Sequence, residues 1–342
     1  MASASANFRT GRYGSMCPHN QKGFFFRISP DLWSGFFTAA EDDLETASST
    51  VRDSRQGFDK RTVTENLYRH VEYLTLTIGD RHLWKERSLD NTATYIESVF
   101  QKSGYSVELQ TYSCYGENVS NIIAEKEGEE EQTVVIGAHY DTVPGAPGAD
   151  DNASAVAGLL ELARLSKEGT NRKRLVLAAF VNEESPCFGS HNMGSMVYAG
   201  QLKDRKVPVD VMIALEMIGY FSKEPIQKYP HPLMRFFYPK TADFIAVVGN
   251  FHSARYVSRL KRGIRRNSSI DVRSLTGPQF FGGISLSDNS SFWDHGYRAV
   301  MVTDTAFFRN KHYHQETDTI DTLNFDSMAE VVKGLFYTTM RL

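Results

Sequence analysis

Residues 133–166 read TVVIGAHYDTVPGAPGADDNASAVAGLLELARLS. Thr133–Ala138 has the length of a buried strand, and Ala153–Ser166 predicts an apolar helix that ends at Gly169. The same alternation continues, with strands predicted at 174–181, 209–215, 244–248 and 299–303 and helices at 190–202, 251–262 and 326–340. Near-continuous apolar strands separated by helices predict an α/β fold, with a mostly parallel mixed sheet and helices on both faces.

Upstream of this stretch the pattern is weaker. A helical stripe is formed by Leu67, Val71, Leu74 and Ile78, and a second helix around Ile96 is closed by Gly104. Tyr105–Tyr112 alternates like a strand, with Asn121–Glu125 as its candidate partner. Residues 41–61 are charged and show no periodicity. We therefore predict a weakly structured N-terminal extension over residues 1–60 and one domain over residues 61–342.

Composition excludes several classes of protein. The formal net charge is -3, with Lys+Arg 38 against Asp+Glu 41, which gives no argument for nucleic acid or an anionic membrane as partner. A basic run at residues 259–266 is more typical of a solvated helix face, since no aromatic stacking motif accompanies it.

No apolar run approaches the roughly 18 residues that span a bilayer. The three cysteines cannot all pair and lack the spacing of a thiolate metal site. The N-terminus does not resemble a secretory signal, which favours a cytoplasmic location.

Acidic and imidazole side chains follow the predicted strands. His139 and Asp141 follow the first strand, and Glu183 and Glu184 follow the next. Glu216 ends a third, and a loop after the last strand carries His312 and His314. Ligands of open parallel sheets bind beyond the carboxyl ends of the strands, so these groups are expected to meet at one edge. Like charges gathered there would repel, and one or two divalent metal ions are the simplest way to neutralise them.

Each segment taken alone has another interpretation. Residues 148–154, GADDNAS, are also what a helix N-cap looks like. Glu183 and Glu184 are compatible with a solvated turn, and His314 with a surface loop. Asp141, two residues after His139, is placed to accept the other imidazole N–H and so fix the tautomer of a metal-binding histidine.

The order of these segments resembles metallopeptidase family M28, the co-catalytic zinc aminopeptidases. The resemblance runs from about Thr64 to the C-terminus and is carried by 137–142 (GAHYDT), 147–154 (PGADDNAS), 182–184 (NEE), 215–220 (LEMIGY), 287–293 (SDNSSFW) and 312–319 (HYHQETDT). One departure is Cys187, where an apolar residue is more usual.

The resemblance implies two zinc ions and a role for each matched residue. His139 and Glu216 would bind one ion, Glu184 and His314 the other, and Asp151 would bridge both. Glu183 would be the general base. Asp141 would orient His139, and Tyr313 would donate a hydrogen bond to the tetrahedral intermediate. The peptide bond after Asp151 is cis in relatives.

The expected substrate is a peptide with a free N-terminus, since the acidic groups near the metals suit an α-amine. Tyr220-Phe221 and the segment Tyr229–Tyr238 are candidates for the wall of an apolar side-chain pocket, or else pin a surface excursion. A carboxypeptidase would need a basic group for the terminal carboxylate, for which Arg298 and Arg309 are candidates. A glutaminyl cyclase, with one zinc ion on the same fold, is the other alternative. The preferred side chain and the oligomeric state are not determined by the sequence.

Overall fold

A computed structural model describes residues 58–168 and 171–342. Within those ranges the strands form one eight-stranded sheet, in the order β1-β2-β4-β3-β5-β8-β6-β7. They are β1 (Ser106–Cys114), β2 (Glu117–Lys126), β3 (Gly128–His139), β4 (Asn171–Phe180), β5 (Val209–Glu216), β6 (Phe244–Asn250), β7 (Asp271–Gly277) and β8 (Ala299–Thr303).

The sheet is mixed, with a parallel centre. β4, β3, β5 and β8 run parallel to one another. The β1–β2 hairpin joins β4 antiparallel, and β6 joins β8 antiparallel with β7 parallel to β6. The predicted pairing of Asn121–Glu125 with the preceding strand is confirmed, as is the α/β fold class.

Helices cover both faces because the central strands are apolar on both sides. The helices are α1 (Lys60–Glu72), α2 (Ser88–Lys102), α3 (Ala155–Leu165), α4 (Gly194–Asp204), α5 (Ala254–Asn267), α6 (Asn289–Asp294) and α7 (Phe325–Thr339). In β3, Val134 and Ile136 belong to the core with α1, α2, α3, α5 and α7, whereas Val135 belongs to the core with α4 and α6. Alternate side chains of one strand thus fill two separate cores.

The helix boundaries differ modestly from prediction. The helix expected from Ala153 begins regularly at Ala155, after an irregular turn over Ala149–Ser154, and it ends at Leu165. Gly169, its expected end, lies outside the described residues. The helix predicted from residue 190 starts at Gly194. Strand β7 and helix α6 were not predicted.

The domain is already folded at its first described residues. Asp59 caps α1 by accepting a hydrogen bond from the Arg61 N–H, and Phe58 packs against the core. Residues 58–60 therefore belong to the folded domain rather than to the extension. The rest of the predicted extension, residues 1–57, lies outside the described part of the chain.

The helical layer contains a partly buried histidine, His70, whose side chain is 14% exposed. His70 of α1 shares a hydrogen bond of 2.7 Å between its Nδ1 and the hydroxyl of Tyr95 of α2, and its Nε2 lies 4.0 Å from Glu161 of α3. Burial lowers the pKa of His70 to about 4, and the nearby Arg164 acts in the same direction.

Within the described residues, no helix has both the length and the apolar character to cross a bilayer.

Candidate metal centre and active site

The parallel centre of the sheet brings all five predicted ligands to one edge. His139 and Glu216 are the last residues of β3 and β5, and Glu184 follows β4. Asp151 lies in the irregular turn that leads into α3, and His314 in the loop between β8 and α7. His314 is the most exposed of the five, with 33% of its side chain accessible, while the other four are buried.

Asp151 lies between the two histidines. Its Oδ1 is 3.4 Å from His139 Nε2, and its Oδ2 is 3.2 Å from His314 Nε2. Glu216 Oε2 is 3.3 Å from His139 Nε2, and Glu184 Oε1 is 3.3 Å from His314 Nε2. One carboxylate therefore faces two groups of ligands, each with its own imidazole and its own glutamate.

These groups have the character of a metal site. His139 Nε2, Asp151 Oδ1 and His314 Nε2 are buried atoms without a hydrogen-bond partner, which is costly unless something else binds them. Candidate ligand atoms of His139, Glu183 and Glu216 lie within 4.8 Å of one another, as do those of Asp151, Glu184 and His314. Imidazole and carboxylate donors without a thiolate suit Zn²⁺.

Glu183 stands slightly apart from the five. Its Oε2 is 3.9 Å from His139 Nε2, farther than either Glu216 or Asp151. Burial raises the pKa of Glu183 well above its usual value, the charge of His139 opposes the increase, and Glu216 and Glu184 add to it. A carboxyl group with a raised pKa beside the ligands is suited to accept and return a proton.

Burial also shapes the protonation of the second ligand group. Burial raises the pKa of Glu184 to about 7, and the charge of Asp151 contributes. Burial alone would lower the pKa of His314, but its contacts with Asp151 and Glu184 raise it to about 10. A metal-binding imidazole is unprotonated at its ligand atom, so metal binding at this pair would be accompanied by loss of a proton from His314.

Asp141 fixes the backbone of the Glu183–Glu184 loop. Its two carboxylate oxygens accept hydrogen bonds of 3.0 Å from the N–H groups of Glu183 and Glu184. His139 Nδ1 lies 3.2 Å from the main-chain oxygen of Asp141 and 3.6 Å from its Oδ1. The expected hydrogen bond from the imidazole to the carboxylate is thus replaced by one to the main-chain oxygen of the same residue.

The turn that carries Asp151 is held from two sides. Asp318 accepts hydrogen bonds from the N–H groups of Asp150 and Asp151 at its two carboxylate oxygens, at 2.9 and 3.1 Å. The Asn152 side chain donates to Leu215 O and accepts from Met217 N, which ties the turn to the end of β5. The peptide bond between Asp151 and Asn152 is cis, as the resemblance implied.

Arg81 supports the loop between His139 and Asp151 and has no exposed surface. Its guanidinium donates to the carbonyls of Tyr140, Pro147 and Gly148 in that loop. It also donates to the carbonyls of Leu74 and Gly79. Neither Arg81 nor Asp318 was predicted to support the site. Asp318 lies within the quoted 312–319 motif, whereas no local pattern marks Arg81.

Two further contacts position groups beside the predicted metal ligands. Ser287, in the quoted 287–293 motif, donates a hydrogen bond of 2.7 Å to Glu216 Oε2. The ring of Tyr313 stacks on His314 with centroids 3.7 Å apart. Burial raises the pKa of Tyr313, and the carboxylates of Asp151 and Glu184 add to this effect, so its hydroxyl remains a hydrogen-bond donor. His314 itself has φ +59°, a strained conformation of the kind that occurs at functional sites.

A cavity of about 100 Å³ adjoins the ligands and is partly lined by Glu216 and Tyr313. Its floor is the face of β6 and β8 that carries Phe244, Ala246 and Met301. Tyr229, Met234 and Tyr238 form part of its wall. Residues of the segment Tyr229–Tyr238 therefore line a cavity beside the predicted ligands, whereas Tyr220 and Phe221 do not line it.

Neither candidate for binding a terminal carboxylate is placed to do so. Arg309 is buried, and its guanidinium donates to the carbonyls of Tyr220, Ala242 and Phe244. Arg298 immediately precedes β8, at the amino end of a strand whose carboxyl end faces the site. Neither arginine therefore offers a free guanidinium to a substrate at this edge of the sheet.

The family model described as peptidase family M28 matches residues 121–339. The chain belongs to peptidase family M28. The uncharacterized protein YfbL of Escherichia coli (strain K12) is 42% identical over 280 residues, which is 79% of this chain and 86% of that protein. Leucine aminopeptidase 1 of Emericella nidulans is 28% identical over 227 residues, which is 62% of this chain and 53% of that protein.

The fold agrees with solved structures. BSAP, a zinc aminopeptidase from Bacillus subtilis, superposes with a TM-score of 0.67 at 15% identity, covering 81% of this chain and 94% of that one. At this identity the likeness concerns the fold. The family match is what identifies this M28 chain as a metallopeptidase. Its detailed chemistry depends on its own residues.

Proposed function

We propose that this M28 peptidase is an aminopeptidase that binds two zinc ions and hydrolyses the N-terminal peptide bond of its substrates. The observation that carries the proposal is Asp151, whose two oxygens face His139 and His314 at 3.4 and 3.2 Å. A single carboxylate shared by two imidazole–glutamate groups is the arrangement expected of a bridging ligand in a two-metal site.

His139, Glu216 and Asp151 would hold one ion, and His314, Glu184 and Asp151 the other. When bound, the zinc ions supply Lewis acidity, which polarises the scissile carbonyl and lowers the pKa of water. Glu183 takes the proton from the attacking water and delivers it to the leaving amine. The Asp141 carboxylate keeps both Glu183 and Glu184 in place through their N–H groups.

Tyr313 is proposed to donate a hydrogen bond to the oxyanion. It adjoins the second ligand group through His314 and lines the cavity, so a substrate in that cavity would lie within reach of its hydroxyl. Its raised pKa keeps the phenol protonated at neutral pH. A neutral donor placed where negative charge develops is the usual device for stabilising a tetrahedral intermediate.

The charge distribution favours a substrate with a free N-terminus. Glu183 is a carboxylate that is not assigned to either metal ion, and its negative charge suits a cationic α-amine. Arg309 was one of the two candidates for binding a terminal carboxylate. Its guanidinium already donates hydrogen bonds to main-chain carbonyls. Arg309 is therefore not free to bind a terminal carboxylate.

The cavity favours an uncharged, apolar first residue. The hydroxyls of Tyr229 and Tyr238 donate to the main-chain oxygens of Pro239 and Ser274, so their rings present apolar surface. Apart from Glu216, the charged residues that line the cavity are Lys228 and Arg273, and both would repel a basic side chain.

The test compares the hydrolysis of substrates that have a free N-terminus with that of substrates whose N-terminus is blocked. Leucine or alanine anilide should be hydrolysed, whereas the N-acetylated anilide and an N-blocked dipeptide should not. Metal analysis of the purified protein should give two zinc ions per chain. Faster cleavage of the blocked substrates would overturn the aminopeptidase assignment, and cleavage of the N-blocked dipeptide, which has a free carboxylate, would indicate a carboxypeptidase. Cyclisation of N-terminal glutamine by a protein with one zinc ion would replace it with a glutaminyl cyclase.

A further inference from the structure

Two buried thiols meet directly behind the Glu183–Glu184 loop. Cys114 is the last residue of β1, and Cys187 lies three residues after Glu184. Their sulfur atoms are 3.5 Å apart, and each residue is 1% exposed. Among the described residues, neither sulfur has another hydrogen-bond partner.

The backbone brings this pair together from two sides. The β1–β2 hairpin turns through Tyr115 and Gly116, both with positive φ, so that Cys114 lies opposite Glu117 at the tip. The Tyr112 hydroxyl donates to Asn192 O, which holds the hairpin against the segment that follows Glu184. On the other side, Cys187 N donates to Glu184 O at 2.9 Å.

We propose that Cys114 and Cys187 form a disulfide bond that tethers the β1–β2 hairpin to the loop carrying Glu183 and Glu184. The co-reactant is a small-molecule disulfide of the oxidised glutathione type. One cysteine thiolate attacks it and expels a thiolate, and the second cysteine then attacks the mixed disulfide and expels another. The two cysteine protons leave on the two released thiols, so the protein is oxidised by two electrons and the external disulfide is reduced by two.

Closing the bond requires only a local movement. The sulfur atoms must approach from 3.5 Å to about 2.0 Å, the length of a disulfide bond. Tyr115 and Phe188, the neighbours of the two cysteines in the sequence, are 65% and 37% exposed, so the pair lies just beneath the surface. Burial raises the pKa of the Cys187 thiol to about 12, and exchange is therefore expected to be slow and to follow local opening of the turn.

The crosslink is expected to stabilise the fold without removing the ligands from their positions. The bond would close a loop across a sequence separation of 73 residues, which restricts the unfolded chain strongly. The Asp141 carboxylate accepts hydrogen bonds from the N–H groups of Glu183 and Glu184, so their backbone is also fixed by contacts that do not involve Cys187.

The experiment uses the full chain with Cys17→Ser, which leaves Cys114 and Cys187 as its thiols. Incubation with oxidised glutathione should lower the intact mass by about 2 Da and remove both titratable thiols. Peptide mapping should link the fragments that contain Cys114 and Cys187. From the 73-residue separation, the melting temperature of the oxidised protein should rise by about 7 °C over the reduced protein.

Cys114→Ala and Cys187→Ala in the same background are the matched controls, and oxidant should not raise their melting temperatures. The proposal is overturned if both thiols persist after oxidation, or if glutathione merely adds to one of them. A bond that forms without raising the melting temperature would overturn its tethering role. These readouts require no peptidase activity, so they stand or fall separately from the proposed function.

Discussion

His70 should make the stability of the domain depend on pH between about 4 and 6.5. Its pKa is lowered by burial from 6.5 to about 4, and in the folded protein its Nδ1 is hydrogen-bonded to the Tyr95 hydroxyl. As the pH falls below 6.5 the unfolded chain takes up a proton at this residue first, so unfolding becomes more favourable. The stabilising contribution of neutral His70 is thus fully present above pH 6.5 and fully lost below about pH 4.

The magnitude follows from these two pKa values. Between pH 7.5 and pH 5.0, the free energy of unfolding should fall by about 2 kcal/mol through this residue alone. The assay is urea unfolding of the wild type and His70→Gln at both pH values, with His252→Gln, at an exposed position, as the matched control. The His70 variant should lose about 2 kcal/mol less than the wild type over this interval, and the control should behave like the wild type. Equal losses in all three proteins would refute the reasoning.

Three further predictions concern the site and the chain boundary. Glu183→Gln should retain zinc but lose about 100-fold or more in kcat, whereas Glu184→Gln should weaken zinc binding; zinc retention and wild-type kcat in both would contradict the assignment of base and ligand. Deletion of residues 1–55 should leave kcat/KM nearly unchanged, because every recognised motif lies beyond them; aggregation or loss of zinc in the truncated protein would show that they are needed for folding. Ala246→Leu, on the floor of the cavity, should lower kcat/KM for leucine anilide more than for alanine anilide; an equal effect on both substrates would place the first side chain elsewhere.

The order of strands and ligands could be read from the sequence because both depend on local patterns. Apolar runs of strand length mark β3, β4, β5, β6 and β8, and a parallel sheet places whatever follows them at one edge. His139, Glu184 and Glu216 were found in this way. β7 escaped detection because only Val272 and Gly277 of its seven residues are buried, so it has no apolar run.

The resemblance to family M28 supplied what local patterns left open. GADDNAS reads equally well as a helix cap, and only the ordered set of motifs singled out Asp151 as the shared ligand. The tertiary structure then showed its two oxygens directed at different histidines.

The roles of the supporting residues were decided only by tertiary contacts. Arg81 reaches the carbonyl of Tyr140 across 59 positions, and Asp318 reaches the N–H of Asp151 across 167. Arg309 looked available for a substrate carboxylate, yet folding buries it among main-chain carbonyls. Cys187 departs from the family pattern, but nothing in the sequence pairs it with Cys114, and the two meet only because a hairpin tip packs on the Glu183–Glu184 loop. Periodicity records which face of an element is buried, whereas the partner of a particular polar or thiol group depends on packing between distant segments.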